Sequence, residues 1–561
     1  MEHISYAFGK NHFAGDRDLQ VVLQYYWKGY ASHEPELLDF GQLVGGELYE
    51  TVYHVDHDAQ PILVTHDLDG NRVDRVRLSP AHRRALQLTA HINRPPYEGG
   101  SWHHHFALGY LVGDPGLYCV LTITGQTVYA IHKYAPEFSE WKERLLSGTA
   151  YGATWMTESQ GGSDLGANQA AAHKARQTTT ADSDSMLTAG DAAARDVPTG
   201  HQAKTEVWYI TADKYFASGA GLTDVAITTA RPEGGRSGPK GLALYLLPRL
   251  RQNGALNFHI RRLKDKSATR SVPSGEAELN ESEAYLIGNA AEGIYYTLEN
   301  LTVSRLANAV AAMGIAKKAH LEVQGRVKRR QSFGKTLYDH PLIRRDLTDL
   351  AVRMAGGLAL AFHAVDKFDG AWHARPPYTP QYHYARFLTH LAKNRTADHA
   401  AAVTAMAMEL FGGLGFLEEY AVARWHREAL ITPIWEGPSN IQALDFLETI
   451  GKQRAHEAYL EEMLPMLERA GTAEAGFAAD VIESTLTRLA SLGPEEAQWH
   501  GKHALEKIAD ATQVALLYQL SATGGERYRK LASLYAHRFL MQEEYPVWAI
   551  HDKEVWGEGL D

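Results

Sequence analysis

The sequence predicts an α+β protein. Helical and strand-like textures come in blocks rather than alternating, strand signals concentrate in residues 156–283, and the chain after 284 is helical almost throughout. Residues 1–155 mix aromatic-rich helical stretches with one hairpin signal. There the strand-like runs 62–65 and 73–78 flank Asp67-Leu68-Asp69-Gly70-Asn71, whose Asp and Gly supply turn chemistry. Within 156–283, the runs 206–211 (EVWYIT), 225–229 (VAITT) and 242–247 (LALYLL) read as short strands bounded by Gly, Pro and Asp. Residues 170–204 interrupt that block with Ala, Thr, Ser, Asp and Gly, and read as a low-complexity surface insertion without assigned function. Residues 284–450 predict a helical bundle. The run 303–330 is Ala-rich with spaced Leu, Val and Met, Pro341 opens the next helix at a position proline tolerates, and further helical runs cover 380–411 and 415–428. The tail, 451–561, is also helical, breaks at Gly493-Pro494, and reads as an additional helical domain.

Composition excludes several classes. With 561 residues, 45% hydrophobic and 22% charged, the chain has material for large cores and is not globally disordered; its length suits three or four domains. A net charge of −11 is a low density for this length and argues against a broad nucleic-acid footprint. Cys119 stands alone, so neither an intramolecular disulfide nor a cysteine-based zinc or iron–sulfur site is expected. The first residues carry no basic segment followed by an apolar run, and no stretch of about 18 consecutive apolar residues occurs. The expectation is a cytoplasmic protein with no signal peptide and no membrane partner. No G-x-G-x-x-G after a strand, P-loop or G-x-S-x-G elbow is present. Consecutive helical residues point about 100° apart, so His103, His104 and His105 cannot converge on one metal ion. They read as histidines on a partly exposed aromatic helix, His54-Val55-Asp56-His57-Asp58 as a solvated strand end or turn, and no metal is expected.

Four separated segments carry a chemical pattern. The first is Met156-Thr157-Glu158-Ser159-Gln160-Gly161-Gly162-Ser163-Asp164, whose glycines allow close backbone approach and whose short hydroxyls offer hydrogen bonds. The second is Lys214-Tyr215-Phe216-Ala217-Ser218-Gly219 before a strand. The third joins Leu263-Lys264-Asp265-Lys266 and Arg270-Ser271 with the basic run from Arg326 through Arg330 to Gln331-Ser332-Phe333-Gly334-Lys335. The fourth is Met408-Glu409-Leu410-Phe411-Gly412-Gly413-Leu414-Gly415-Phe416 followed by Ile434-Trp435-Glu436-Gly437-Pro438-Ser439-Asn440-Ile441.

In order and spacing these segments resemble the acyl-CoA dehydrogenase superfamily. The resemblance implies a helical N-terminal domain, a β domain and a C-terminal helical bundle that bind FAD. It implies that Met156, Thr157, Glu158, Gly162 and Ser163 line the flavin ring, that Phe216 stacks on it, and that Ser218 bonds its reactive edge. Arg330, Ser332 and Phe333 fall on a motif whose arginine reaches the flavin diphosphate of a neighbouring subunit, where a fork of donors suits the anion. Glu409, Gly412, Gly413, Trp435, Gly437 and Asn440 complete the implied cofactor set. Glu436 falls on the catalytic base, which removes the α-proton of an acyl-CoA thioester while the β-hydrogen leaves as hydride to the flavin. Trp435 beside it is expected to raise its proton affinity by desolvation. Ser163, Arg305 and Trp435 are the implied substrate contacts.

The 67–77 segment, Trp435, Glu409 and the long tail are similar to the AidB-like, adaptive-response branch of that superfamily. Three departures qualify the match. Pro438 replaces a small hydroxyl residue, the acidic residue many relatives carry near Arg305 on the CoA adenine side is absent, and Trp435 narrows the acyl pocket toward small or branched substrates. The implied partners are an acyl-CoA or related small thioester and an electron acceptor such as an electron-transfer flavoprotein, in a homotetramer. Two alternatives stay open: an acyl-CoA oxidase, and a DNA-associated flavoprotein. The tail holds 11 Lys and Arg against 18 Asp and Glu, net −7, which disfavours DNA; Arg527-Tyr528-Arg529-Lys530 is its one local basic cluster and reads as a solvated helix face.

Overall fold

The computed structural model describes residues 1, 3–174 and 206–558. Most of the polar 170–204 insertion therefore lies outside the described residues. The helices are α1 (Arg17–Tyr26), α2 (Tyr30–Leu43), α3 (Tyr49–His57), α4 (Pro80–Thr89), α5 (Trp102–Val112), α6 (Pro115–Tyr134), α7 (Ser139–Leu146), α8 (Gly293–Arg329), α9 (Pro341–Asp369), α10 (Pro380–Phe411), α11 (Ala421–Ala429), α12 (Ser439–Gly451), α13 (Ala455–Ala470), α14 (Ala473–Ser491), α15 (Pro494–Gly524) and α16 (Glu526–Tyr535). The strands are β1 (Ile62–His66), β2 (Arg72–Arg77), β3 (Gly152–Trp155), β4 (Ala171–Lys174), β5 (Val207–Ser218), β6 (Val225–Pro232), β7 (Ala243–Pro248), β8 (His259–Leu263) and β9 (Ser274–Leu286).

The chain divides into two compact units that do not follow the four sequence blocks. One comprises Met1–His54, Arg94–Tyr118 and Arg305–Asp561; the other comprises Val55–Asn93 and Cys119–Ser304. The N-terminal block is thus shared between the two units. The tail is no separate domain, because it packs into the same unit as the bundle.

In the second unit a seven-stranded sheet runs β3-β6-β4-β5-β9-β7, with β8 on β9, and a β6–β7 pairing closes the path on itself. The sequence runs VAITT and LALYLL become β6 and β7, which pair antiparallel and bury nearly every residue, as central strands must. Trp155, Trp208, Ile210, Tyr245, Phe258 and Leu279 fill the core beneath them. The hairpin β1–β2 forms as expected and is antiparallel. Asp67 closes its turn, accepting from the backbone N–H of Asp69 and Asn71 and from the Asn71 amide; these hydrogen bonds hold its carboxyl below the usual range.

In the first unit, α9, α10 and α15 pack against one another, and α12 packs against α10 and α15. Buried ion pairs tie remote segments together. Arg395 of α10 grips Asp510 of α15 through two nitrogens at 2.7 and 3.0 Å, with Tyr535 donating to the same carboxylate. Arg527 is buried against Asp18, Lys530 pairs with Asp552 at 2.7 Å, and Arg529 lies 3.9 Å from Glu526. The basic cluster 527–530 is therefore only in part a solvated face: Arg527 and Tyr528 are core residues and Lys530 is paired, while Arg529 and Glu526 are exposed. By length and hydropathy alone the segment Pro380–Phe416 could cross a membrane. It nevertheless buries Arg386, His390, Lys393, Asn394 and His399, as a polar-lined core helix does.

Two histidine readings also change. His103, His104 and His105 are all buried rather than partly exposed. In the 54–58 segment, residues 54–57 are the end of α3 rather than a strand end, Asp58 is the turn residue after it, and Asp56 is buried.

Candidate functional site

In the β-rich unit, the loop after β3 is held from within. The Glu158 carboxylate accepts from Lys214 Nζ at 2.9 Å, the Gln160 amide, and the backbone N–H of Gln169 and Ala170. Both side chains of this pair are inaccessible, 2% and 0% exposed. Burial pulls the lysine pKa down and the neighbouring carboxylate pushes it back up. Glu158 N–H also donates to Gly161 and Gly161 N–H to Glu158, which turns the chain. Glu158, counted as a flavin contact in the sequence reading, has its carboxylate engaged in shaping this loop. Met156 is buried, its carbonyl accepting from Asn168, and the Thr157 carbonyl accepts from Tyr215 N–H. Gly162 and Ser163 lie exposed at the loop's tip.

The neighbouring strand carries a bulge. Between Lys214 and Ala217 the β5–β9 register shifts, so Tyr215 and Phe216 leave the ladder and turn their rings outward. Phe216 is 54% exposed, and Lys264 Nζ sits over both rings, 3.4 Å from the Tyr215 centroid and 4.8 Å from that of Phe216. Ser218 lies two residues on, its hydroxyl 3.3 Å from that of Ser274 and its carbonyl accepting from the Trp155 indole.

In the helical unit, Glu436 has φ +59° and Gly437 φ +92°. A left-handed glutamate is strained, and the surroundings hold it there. Its carbonyl accepts from Arg305 Nε at 2.9 Å and from Gln442 Nε2 at 3.0 Å; the Gly437 carbonyl accepts from Lys393 Nζ and Gln442 Nε2, both at 2.8 Å. A Cβ at Gly437 would meet Gln442 Nε2 at 2.9 Å and Arg305 at 3.2 Å, so only glycine suits this turn. Behind this clamp His390 Nδ1 lies 3.0 Å from Gln442 Oε1, and burial lowers the histidine pKa to about 3, so the ring is neutral. Burial, helped by Arg305, lowers Lys393 to about 7, while Glu436 opposes the shift. The Trp435 indole donates to Asn308 Oδ1.

Arg305 requires a correction. Read as a substrate contact, it is instead buried behind the base, spent on the Glu436 carbonyl and on Asp445 at 2.8 Å. Lys393, Gln442, His390 and Asp445 were missed by sequence reasoning. Gln442 and Asp445 lie within nine residues of Glu436 on α12, whose first turn faces the Glu-Gly loop; the two α10 residues carry no local signal in an Ala-rich helix.

The remaining implied cofactor residues are open. Glu409 and Asn440 are exposed, and a Cβ on Gly412 or Gly413 would meet nothing within 4 Å. Arg330 is exposed at the end of α8, where Gln331-Ser332 pairs antiparallel with Lys335-Thr336. Phe333 and Gly334 turn this hairpin with positive φ, and Phe333 projects with 96% of its surface exposed. The outward ring of Phe216 on the bulge suits stacking on a planar, partly apolar cofactor such as FAD.

Comparisons with known proteins agree with this architecture. Residues 153–282 match the acyl-CoA dehydrogenase middle-domain model and residues 291–451 the acyl-CoA dehydrogenase C-terminal-domain model. The chain belongs to the acyl-CoA dehydrogenase family. Residues 5–152 match the adaptive response protein AidB N-terminal domain, which places it on the AidB-like branch. It is 27% identical to Escherichia coli AidB over 419 residues, 70% of each protein. It is 28% identical to Caenorhabditis elegans acyl-CoA dehydrogenase family member 11 over 66% of this chain and 57% of that protein. The solved structure of that nematode relative, ACDH-11 in complex with C11-CoA, superposes with a TM-score of 0.79, 22% identity, over 98% of this chain and 95% of the other. The apo form of Bd2924 superposes with a TM-score of 0.78 and 25% identity, over 92% of this chain and 99% of the other.

Proposed function

We propose that the protein is an FAD-dependent acyl-CoA dehydrogenase in which Glu436 removes the α-proton of an acyl thioester. The observation that carries this reading is the clamp on the Glu436–Gly437 peptides. Four hydrogen bonds from Arg305, Gln442 and Lys393 fix the backbone of both residues in a left-handed turn and so set the direction in which the Glu436 side chain leaves it. A base held this way loses little entropy on reaching the transition state. Removing the α-proton requires the developing oxyanion of the thioester to be met by donors, and the backbone N–H of the base is one that this turn could present. FAD, when bound, accepts the β-hydrogen as a hydride. Phe216 and Ser218 on the β5 bulge, with the exposed loop tip at Gly162 and Ser163, are the groups we assign to it.

Arg330 and the projecting Phe333 support an assembly in which this tip reaches a neighbouring copy, and we propose a homotetramer with an electron-transfer flavoprotein as acceptor. A DNA-associated role has less support, because two of the three cations in the cluster 527–530, Arg527 and Lys530, are already paired with Asp18 and Asp552.

Anaerobic mixing of the FAD-loaded protein with a panel of acyl-CoAs tests the reading. At least one member should bleach the flavin absorbance, and Glu436→Gln should keep the flavin and lose bleaching by about 10²–10⁴ in rate. Bleaching by no acyl-CoA, or undiminished bleaching in the variant, sinks it; hydrogen peroxide released during turnover would move the assignment to an oxidase.

A further inference from the structure

We propose that His33, Glu36 and His104 form a zinc site that clips α2 to α5. His33 and Glu36 are three residues apart on α2 and so lie on one face of it. His104 is in the first turn of α5, and α2 packs against α5. One ligand atom from each of the three lies within 4.8 Å of the others. Consecutive histidines cannot share an ion, and these do not. His103 faces α9, 3.3 Å from Asp366 and 3.7 Å from Asp369, and His105 packs edge-on to Trp102, which leaves His104 to meet partners from another helix.

Three features make this more than a histidine beside a carboxylate. First, His104 Nε2 is 3.1 Å from the Glu36 carboxylate, yet among the described residues this buried nitrogen has no hydrogen-bond partner. Two atoms facing each other at that distance without hydrogen-bond geometry suit two ligands of one tetrahedral ion, whose donor atoms stand roughly 3.3 Å apart when each bond is about 2.0–2.1 Å. Second, His33 Nδ1 is 3.0 Å from the Gly29 carbonyl oxygen. The Ser32 hydroxyl lies at the same distance from Nδ1 and itself donates to that carbonyl; in the tautomer whose Nδ1–H donates to Gly29, Nε2 keeps the lone pair, the outer-shell arrangement that metal-binding histidines use. Third, the Trp27 indole stacks on His104, with centroids 5.0 Å apart, and lies 4.9 Å from the His33 ring. It closes one side and holds both imidazoles in place, while the half-exposed Glu36 side chain leaves a path from solvent. Two imidazoles and one carboxylate give a three-ligand zinc set with a fourth position for water.

The ion would cross-brace two helices that the sequence separates by more than fifty residues, so its signature is stability rather than rate. The FAD-loaded protein, stripped with a chelator and dialysed, is titrated with ZnCl₂ against a chromophoric competitor, and its melting temperature is recorded at each step. One zinc per chain and a melting temperature that climbs with zinc are expected. His33→Gln and Glu36→Gln change positions at the solvent side, so each should keep the flavin spectrum and far-UV circular dichroism. Each should weaken zinc by at least about tenfold, the smallest loss that even outer-shell partners bring. Absence of stoichiometric uptake by the folded protein, or unchanged affinity in the double variant, overturns the site.

Discussion

The Glu436–Gln442 turn and the Tyr215–Phe216 bulge solve opposite problems. At the turn, the backbone is over-determined: a strained glutamate is held by its own carbonyl and by the next one, through Arg305, Gln442 and Lys393. At the bulge, the ladder is interrupted so that two aromatic rings can leave it, and the support lies one layer below, in the Glu158–Lys214 pair. A base needs one geometry, fixed before substrate arrives. A planar cofactor needs an exposed face, and a shifted register supplies it without changing the rest of the strand.

The largest expected effect breaks the lower layer of the bulge. Lys214→Met leaves the Glu158 carboxylate buried without its counter-charge, and losing one member of a buried pair typically costs about 3–5 kcal/mol. The backbone N–H groups of Gln169 and Ala170 still reach that carboxylate, which puts the effect near the lower end. Urea unfolding followed by tryptophan fluorescence measures it. A loss below 1 kcal/mol would show that the pair is ornamental and that the loop is held by its backbone alone; the threshold lies at about the usual worth of a surface pair. The Glu436→Gln loss described above belongs beside it in size, but should appear in rate and leave the unfolding curve nearly in place.

A smaller effect concerns the support of the turn. Lys393 is lowered to about 7 in the fold from an ordinary value of 10.5. Below pH 7 it is protonated folded and unfolded, and the fold carries the whole burial cost. Between pH 7 and 10.5 the unfolded chain holds a proton that the folded one lacks, so stability rises with pH, by at most about 1.4 kcal/mol per unit. The same proton loss removes a positive charge beside Glu436. Lys393→Met should therefore flatten the stability slope over this window and shift the bend near pH 7 in the rate profile. Superimposable profiles for variant and parent would mean that Lys393 acts only as a neutral donor to Gly437.

The difference between the two regions also explains what the sequence could reveal. Glu436 was legible because the Glu-Gly pair, its aromatic neighbour and the spacing to the Gly412-Gly413 segment are local patterns. The clamp was not, since Lys393 and His390 come from α10, more than forty residues upstream in an Ala-rich helix with no marker of its own. Arg305 was legible as important and wrong in role, because a sequence shows a cation but not which way it faces; here it faces Asp445 and a carbonyl. Strands β6 and β7 announced themselves as unbroken apolar runs, whereas β9 alternates small and acidic residues and becomes a strand only through its long pairing with β5. The tail's separateness failed for a similar reason: ion pairs such as Arg395–Asp510 and Arg527–Asp18 join segments that no local pattern connects.

The finest test asks whether the exposed ring on the bulge is a platform or merely a by-product of the register shift. Phe216→Ala removes the half-exposed face while leaving the backbone bulge, Lys214 and Ser218 in place. An aromatic stack contributes about 0.5–1.5 kcal/mol beyond simple burial, so FAD should bind about two- to twelvefold more weakly, by fluorescence after equilibrium dialysis. Tyr215→Ala is the matched control, since that ring is the less exposed of the two, 38% against 54%, and lies closer under Lys264, 3.4 Å against 4.8 Å. If both variants weaken FAD equally, the bulge acts through its backbone and the contrast with the turn disappears. If Phe216 alone matters, the strand has given up one rung of its ladder to place one ring, as the helical unit strains one residue to place one carboxylate.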